Sequence, residues 1–212
     1  MKAMGSIGAV ILAAGLSRRM GEPKLFLPYR GRPLFLQTVE TAVLSGLDPI
    51  VLVVGEHEEG FRELVSFPQV TILKNEEYST GMGSSLRAGF KHMEGKAAAS
   101  FVFLADQPFV PLPVPQEIIK RYRQERSNGY LIFQPKYMEQ AGHPILFDAG
   151  LFHEFRELQG DIGGREIIRK YRDQCMPVHF RNESWGIDID TPDDYEQALK
   201  LESRKLKGDA AE

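Results

Sequence analysis

The stretch from Val10 to Lys24, VILAAGLSRRMGEPK, decides the fold of this chain. It begins inside an aliphatic run, Ile7 to Leu12, with the pattern of a short parallel strand buried on both faces. The run gives way at once to Ala13, Ala14 and Gly15, and then to three cations, Arg18, Arg19 and Lys24. A buried strand that opens into a small-residue loop at its carboxyl end is where open α/β sheets hold ligands. Small residues let backbone N–H groups close in on an anion, and arginine and lysine on the same loop read as phosphate clamps. A strand, a tight turn and some solvated cations also occur with no ligand at all, but here the charges coincide with the small-residue run. Two familiar phosphate loops do not fit. The Walker pattern needs Gly-Lys-Ser/Thr where Gly21 is followed by Glu22 and Pro23, and GxGxxG fails at Leu86, after Gly81 and Gly83.

At 212 residues the chain suits a single α/β domain, with a core over about residues 6–200 and a frayed tail over 207–212. Apolar residues at 42% and charged ones at 26% are ordinary for a globular protein. A net charge of −3 argues against a general affinity for nucleic acid, which makes the cations near Arg18 a local device. One cysteine, Cys175, excludes an internal disulfide framework and a cysteine-rich zinc site. The first apolar run is too brief for a secretory signal or a membrane span, so the expected location is cytoplasmic, with no membrane partner.

Further along, Gly31-Arg32-Pro33 announces a helix with proline near its first turn, ending at Gly46. Strands are expected over Pro49–Val54, Val70–Leu73, Ser100–Ala105, Gly129–Gln134, Ile145–Phe147 and Gln174–Phe180, and helices over His57–Phe67, Met82–Met93 and Pro115 to about Arg126. His57, among Glu56, Glu58 and Glu59, reads as a solvated helix-start residue. The polar loop Asn75–Ser85 follows a strand and would present a helix N-terminus to the same sheet edge as the first loop.

The strand ending at Ala105 runs straight into Asp106, and a carboxylate there is costly unless it binds a cation or caps a helix. Pro108, Pro111, Pro113 and Pro115 postpone the next helix, which leaves magnesium beside a phosphate loop as the better explanation. Asp188 and Asp190, two apart, share a face of an extended chain and can present two carboxylates to one metal. Thr191-Pro192-Asp193-Asp194 is a strong helix start, so one of these acids is also a candidate cap. His143 in Gly142-His143-Pro144 is a turn histidine or a substrate contact. Gly160 to Arg165 is a glycine-rich turn or a capped helix start, with Asp161 near the cap.

Taken in order, LAAGLSRRMGEPK (Leu12–Lys24), NEEYSTGMGSSL (Asn75–Leu86), LADQP (Leu104–Pro108), GHPILF (Gly142–Phe147), GDIGGR (Gly160–Arg165) and DIDTPDDY (Asp188–Tyr195) resemble one family. It is the molybdenum cofactor cytidylyltransferases of the MocA type, within the MobA-like nucleotidyltransferases. The resemblance implies a single three-layer α/β/α domain with a mostly parallel sheet, of the nucleotide-diphospho-sugar transferase type. It implies CMP transfer from CTP to molybdenum-molybdopterin, with Mg2+ or Mn2+, for maturation of a molybdenum hydroxylase whose apo form is a possible transient partner. By matching motifs, the backbone of Leu12, Ala13, Ala14 and Gly15 holds the nucleotide, and Arg19 and Lys24 hold the departing phosphates. Asp106 ligates metal with Asp188 or Asp190, and Asn75, Gly81 and Ser85 contact nucleotide or pterin. Gln107, His143, Asp161 and Arg165 look like residues of the cofactor-substrate side. Alanine at position 14, where the guanylyl branch usually carries glycine, favours cytidine. A guanylyltransferase or other NTP transferase on the same fold, a non-catalytic molybdopterin carrier for a xanthine dehydrogenase-like enzyme, and a dinucleotide-binding oxidoreductase are the alternatives.

Overall fold

A computed structural model describes residues 5–17, 19–161 and 163–208, with side chains through 202. Arg18 and Ile162, both inside motifs quoted above, lie outside the described residues. The long strands are β1 (Ile7–Ala13), β2 (Ile50–Val54), β3 (Val70–Lys74), β4 (Ala99–Leu104), β5 (Ile132–Tyr137), β6 (Ile145–Asp148) and β7 (Cys175–Phe180). The helices are α1 (Phe35–Leu44), α2 (Glu58–Leu64), α3 (Met82–Met93), α4 (Pro113–Glu125), α5 (Arg165–Lys170) and α6 (Pro192–Gly208). Across the sheet the order is β7-β5-β6-β4-β1-β2-β3, with the short strand Gln140–Ala141 paired to β5. Of the long strands only β6 runs against the rest, between β4 and β5.

Alternation along each strand feeds two cores. Ala9, Ile11 and Ala13 of β1 join Phe35 and Val39 of α1 and Ile118 of α4 on one face. Val10 joins Leu86, Phe90 and Met93 of α3 on the other, where Phe152 and Phe155 of a 3-10 segment, Ala149–Glu157, complete the layer. The result is the expected three-layer sandwich. Strand β1 sits between β4 and β2, so its carboxyl end is flanked by two crossover loops. No helix among the described residues is long and apolar enough to cross a membrane.

Three local expectations shift. The first helix begins at Phe35 and leaves Pro33 outside it. Pro28–Tyr29 and Arg32–Pro33 instead form a small antiparallel hairpin, turned by Arg30 and Gly31 at φ of 52° and 72°. Helix α2 stops at Leu64, well before Pro68, because Val65 is already extended. Strand β5 starts and ends later than expected and contains Pro135. Beyond Ile132 and Phe133 β6 no longer pairs with β5; Pro135 lies beside Val178 of β7, and its carbonyl accepts from the Gly142 N–H at 2.9 Å, so that side makes a bond that needs no proline N–H.

Helix α3 crosses β1 closely enough that a Cβ on Gly89 would run into both γ-carbons of Val10. Neither a core valine nor a buried strand has room to yield. Gly89→Ala is therefore expected to cost about 1–3 kcal/mol through overpacking. A thermal melt shows this as a lower midpoint, and an unchanged midpoint would contradict the packing described.

Candidate active site

The end of β1 and the ends of its two neighbours build one mouth. Ala105 donates its N–H to the Leu12 carbonyl at 3.1 Å, which sets Asp106 directly beside the first loop. Ile189, fully buried, donates its N–H to the Asp106 carbonyl at 3.0 Å. That single backbone bond brings Asp188 and Asp190, one on each side of Ile189, to the end of β4. Within the first loop Ser17 adopts φ 47°, a left-handed turn at a functional edge. A 3-10 turn over Lys24–Phe26 then sends Lys24 inward while Phe26 packs on Phe35 and Phe61.

Lys24 is only 7% exposed, and its Nζ donates to Asp106 Oδ2 at 2.6 Å and to Asp190 Oδ1 at 2.8 Å. Arg19, on the surface, donates from Nη2 to the other oxygen of Asp190 at 2.7 Å. Burial by itself would depress the lysine; Asp106, and then Asp190, outweigh it and hold the ammonium above the usual lysine range. Burial likewise opposes ionisation of Asp190, but Lys24 and then Arg19 pull its carboxyl below the usual range. The cation that compensates Asp106 in this structure is thus Lys24, 82 residues earlier.

Asp188 plays a different part. Burial, followed by the charge of Asp106, raises its carboxyl, while Gln107 opposes the rise by donating from Nε2 to Asp188 Oδ1 at 2.7 Å. Gln107 is buried, so it acts on the site through Asp188. Asp194 turns out to be the capping acid. Its Oδ2 accepts from the N–H of Thr191 at 2.8 Å and from the N–H of Asp190 at 3.2 Å, and its own N–H bonds back to Thr191 Oγ1. Helix α6 is therefore capped without drawing on Asp188 or Asp190.

Among the described residues no three histidine, cysteine, aspartate or glutamate side chains converge as a ready-made metal cage. Asp106, Asp188 and Asp190 are gathered at one strand end, but only Asp106 and Asp190 face a common cation. Two carboxylates are nonetheless a fitting donor set for Mg2+ or Mn2+: hard divalent ions of this kind are held by one or two carboxylates together with substrate phosphates.

A cavity of about 450 Å³ opens over this cluster. Leu12, Ala13, Ala14 and Gly15 form one wall; Gly81, Ser85 and Asp161 form the other. The N-terminus of α3 and the Gly160 turn are in direct contact, since Gly83 donates its N–H to the Gly160 carbonyl at 2.9 Å. Gly81 has φ 118°, and any Cβ there would strike the Gly160 backbone. Both constraints demand glycine. Asn75 stands behind the wall: its Nδ2 donates to the Ser84 and Ser85 hydroxyls at 2.8 and 3.0 Å, and its Oδ1 accepts from the Glu77 N–H at 3.0 Å. It shapes the loop and does not line the cavity. His143 and Arg165 also lie outside the cavity wall, and Arg165 is exposed. His57 is exposed at the start of α2, with its ring edge-on to Phe26. Tyr78 and Thr80 do line the cavity, although neither hydrophobic period nor motif spacing marks them out within Asn75–Leu86.

A small-residue loop, two cations paired with carboxylates and a helix N-terminus surround one cavity at the carboxyl edge of the α/β sheet. The chain belongs to the MobA-like NTP transferase domain family, which matches residues 9–175. A Paenarthrobacter nicotinovorans protein named nicotine blue oxidoreductase is 32% identical, over 87% of this chain and 92% of its own. The molybdenum cofactor cytidylyltransferase of Escherichia coli K12 is 26% identical, over 91% of this chain and 95% of its own. The solved structure of Rv0371c from Mycobacterium tuberculosis H37Rv in complex with manganese superposes with a TM-score of 0.72 at 27% identity, covering 92% of this chain and 98% of that one. A nucleotidyl transferase from Methanothermobacter reaches a TM-score of 0.79 at 21% identity, covering 96% and 99%, and so shares the fold. The fold is of the nucleotide-diphospho-sugar transferase type.

One titration follows from this geometry. Burial, and then the charge of Arg165, lower His143 to about 4 in the folded protein, against about 6.5 when unfolded. The folded state therefore binds fewer protons, and stability falls as pH drops from about 6.5 through about 4, by up to about 3 kcal/mol, with no penalty above that window. In urea unfolding, His143→Gln is expected to lose less stability than wild type between neutral pH and about pH 4. Equal losses would contradict the account of His143.

Proposed function

We propose that the protein transfers CMP from CTP to the terminal phosphate of molybdenum-molybdopterin, giving molybdopterin cytosine dinucleotide and pyrophosphate. The observation that carries this reading is the Arg19–Asp190–Lys24–Asp106 cluster at the floor of a cavity walled by the small-residue loop. In the structure both cations rest on carboxylates. A triphosphate laid along the backbone of Leu12–Gly15 offers them competing oxygens at the β- and γ-phosphates. A terminal phosphate oxygen of the pterin then attacks the α-phosphorus. The bond from that phosphorus to the bridging oxygen of the β-phosphate breaks, and the electron pair departs with pyrophosphate. Lys24 and Arg19 neutralise the charge growing on the leaving group, so catalysis is positioning and electrostatics with no covalent enzyme intermediate.

Asp106 and Asp190 would hold Mg2+ or Mn2+, with Asp188 positioned beside them by Gln107. When bound, the ion supplies Lewis-acid neutralisation of the phosphates. Asp161, on the far wall, faces the side open to the acceptor. His143 and Arg165 lie outside that lining, with Arg165 near enough to His143 to act on its charge. The E. coli cytidylyltransferase supports the choice of reaction, and Ala14 supports cytidine over guanosine. The product serves maturation of a molybdenum hydroxylase, whose apo form is the expected recipient.

The 32% identity to nicotine blue oxidoreductase favours a second reading, redox chemistry on a bound dinucleotide. Leu86 weighs against it: at the third position of the would-be fingerprint it is 1% exposed and packed in the core with Phe90.

The test is pyrophosphate release with Mg2+, molybdenum-molybdopterin and each of CTP, GTP, ATP and UTP, beside a titration with NADH and NADPH. Pterin-dependent release with CTP above the others is expected, and Asp106→Asn should lower it about 10²–10³-fold. Release with GTP instead would move the protein to guanylyl transfer. Pterin binding without release would make it a carrier, and NAD(P)H binding without release would make it an oxidoreductase.

A further inference from the structure

A second, smaller cavity of about 240 Å³ lies on the other side of the first loop from the charged one. The two share the loop Ala13–Ser17, Leu25 and one aromatic residue, Tyr78. The rest of the smaller cavity mixes Pro23, Phe26 and Phe61 with Glu22, Glu56 and His57. It holds none of Arg19, Lys24, Asp106 or Asp190. A ligand draped over the shared backbone would leave its phosphates on the charged side and a flat, apolar-faced group on the other.

Tyr78 is built into that junction from both directions. The Asx turn at Asn75 sets its backbone, because Tyr78 donates its N–H to the Asn75 carbonyl at 3.2 Å at the start of the turn Tyr78–Thr80. Its ring packs against Gly55, where a Cβ would come within 2.8 Å of two ring carbons. Gly55 ends β2 and is itself buried, so the absence of a side chain there makes the seat for the ring. The seat leaves the Tyr78 side chain half-buried and facing both cavities, and its hydroxyl makes no hydrogen bond to any described residue.

We infer that Tyr78 is an aromatic wall of the base subsite: its seated ring covers one face of a nucleobase bound beside the first loop. This rests on the nucleotidyltransferase reading and deepens it, since it names the surface on which the base of the nucleotide stacks. Base–aromatic stacking is strong enough to decide affinity and is lost when the ring is removed.

The experiment is calorimetric titration of wild type, Tyr78→Leu and Tyr78→Phe with CTP, GTP and inorganic tripolyphosphate. Leucine fills the seat over Gly55 without a π face, and phenylalanine keeps the face without the hydroxyl. Tyr78→Leu is expected to weaken whichever of CTP and GTP wild type binds about tenfold or more, with tripolyphosphate unchanged. Tyr78→Phe should keep most of the CTP affinity. Unchanged CTP binding in Tyr78→Leu, or equal losses for CTP and tripolyphosphate, would overturn the assignment, the second by showing that the tyrosine merely shapes the loop. A wild type that favours GTP, with the same selective loss in Tyr78→Leu, would overturn cytidine as the base and leave the role of the ring intact. A wild type that binds none of the three would overturn the nucleotide reading itself.

Discussion

The mouth of this fold depends on one ammonium held between two carboxylates, Lys24 between Asp106 and Asp190. Three loops far apart in the chain must be in place for it to form, and each is fixed by backbone bonds of the sheet edge. The lysine side chain is 9% exposed, while its partners are 23% and 32% exposed. The pairs therefore lie between surface ion pairs, worth about 0–1 kcal/mol, and buried ones, whose disruption costs about 3–5 kcal/mol. The cluster is strong enough to be populated and open enough for phosphate oxygens to compete with it. That balance suits a site whose cations must change partners when substrate arrives.

Much of the stability that positions the cluster comes from elsewhere. The parallel strands are covered on both faces, and Phe90, stacked on Phe155 and edge-on to Phe147 and Phe152, anchors α3 so that its N-terminus meets the Gly160 turn. The Gly83–Gly160 bond then joins the start of α3 to the Gly160 turn across the cavity wall. A residue as remote as Gly89 thus bears on the geometry of the mouth through the crossing of α3 over β1.

The layered fold was legible in the sequence because buried parallel strands read as uninterrupted aliphatic runs, as in Ile7–Leu12 and Pro49–Val54. Boundaries were less legible where tertiary pairing overrides local preference: Pro33 was drawn into a hairpin, and Pro135 sits in β5 where β6, which begins only at Ile145, does not reach it. The candidate site was legible in its charged members, since a carboxylate at the end of SFVFLA or a lysine after a small-residue loop has few structural reasons to be there. What spacing could not give was which partner each charge takes. Lys24 as the counter-ion of Asp106, Asp194 as the cap in place of its neighbours, and Asn75 as a brace behind the wall all depend on contacts remote in sequence or on the exact course of a turn. Tyr78 carried no signal for the same reason, since its importance comes from Gly55 beneath it.

The most direct test of this account is Mn2+ binding followed by electron paramagnetic resonance, with and without CTP, in wild type and Asp106→Asn. If the two carboxylates form half of a site completed by phosphates, wild type should bind Mn2+ weakly alone and about tenfold or more tightly with CTP, and Asp106→Asn should lose that enhancement. Equal enhancement in both proteins would show that Asp106 does not take part in holding the ion, and the central cluster would need another explanation.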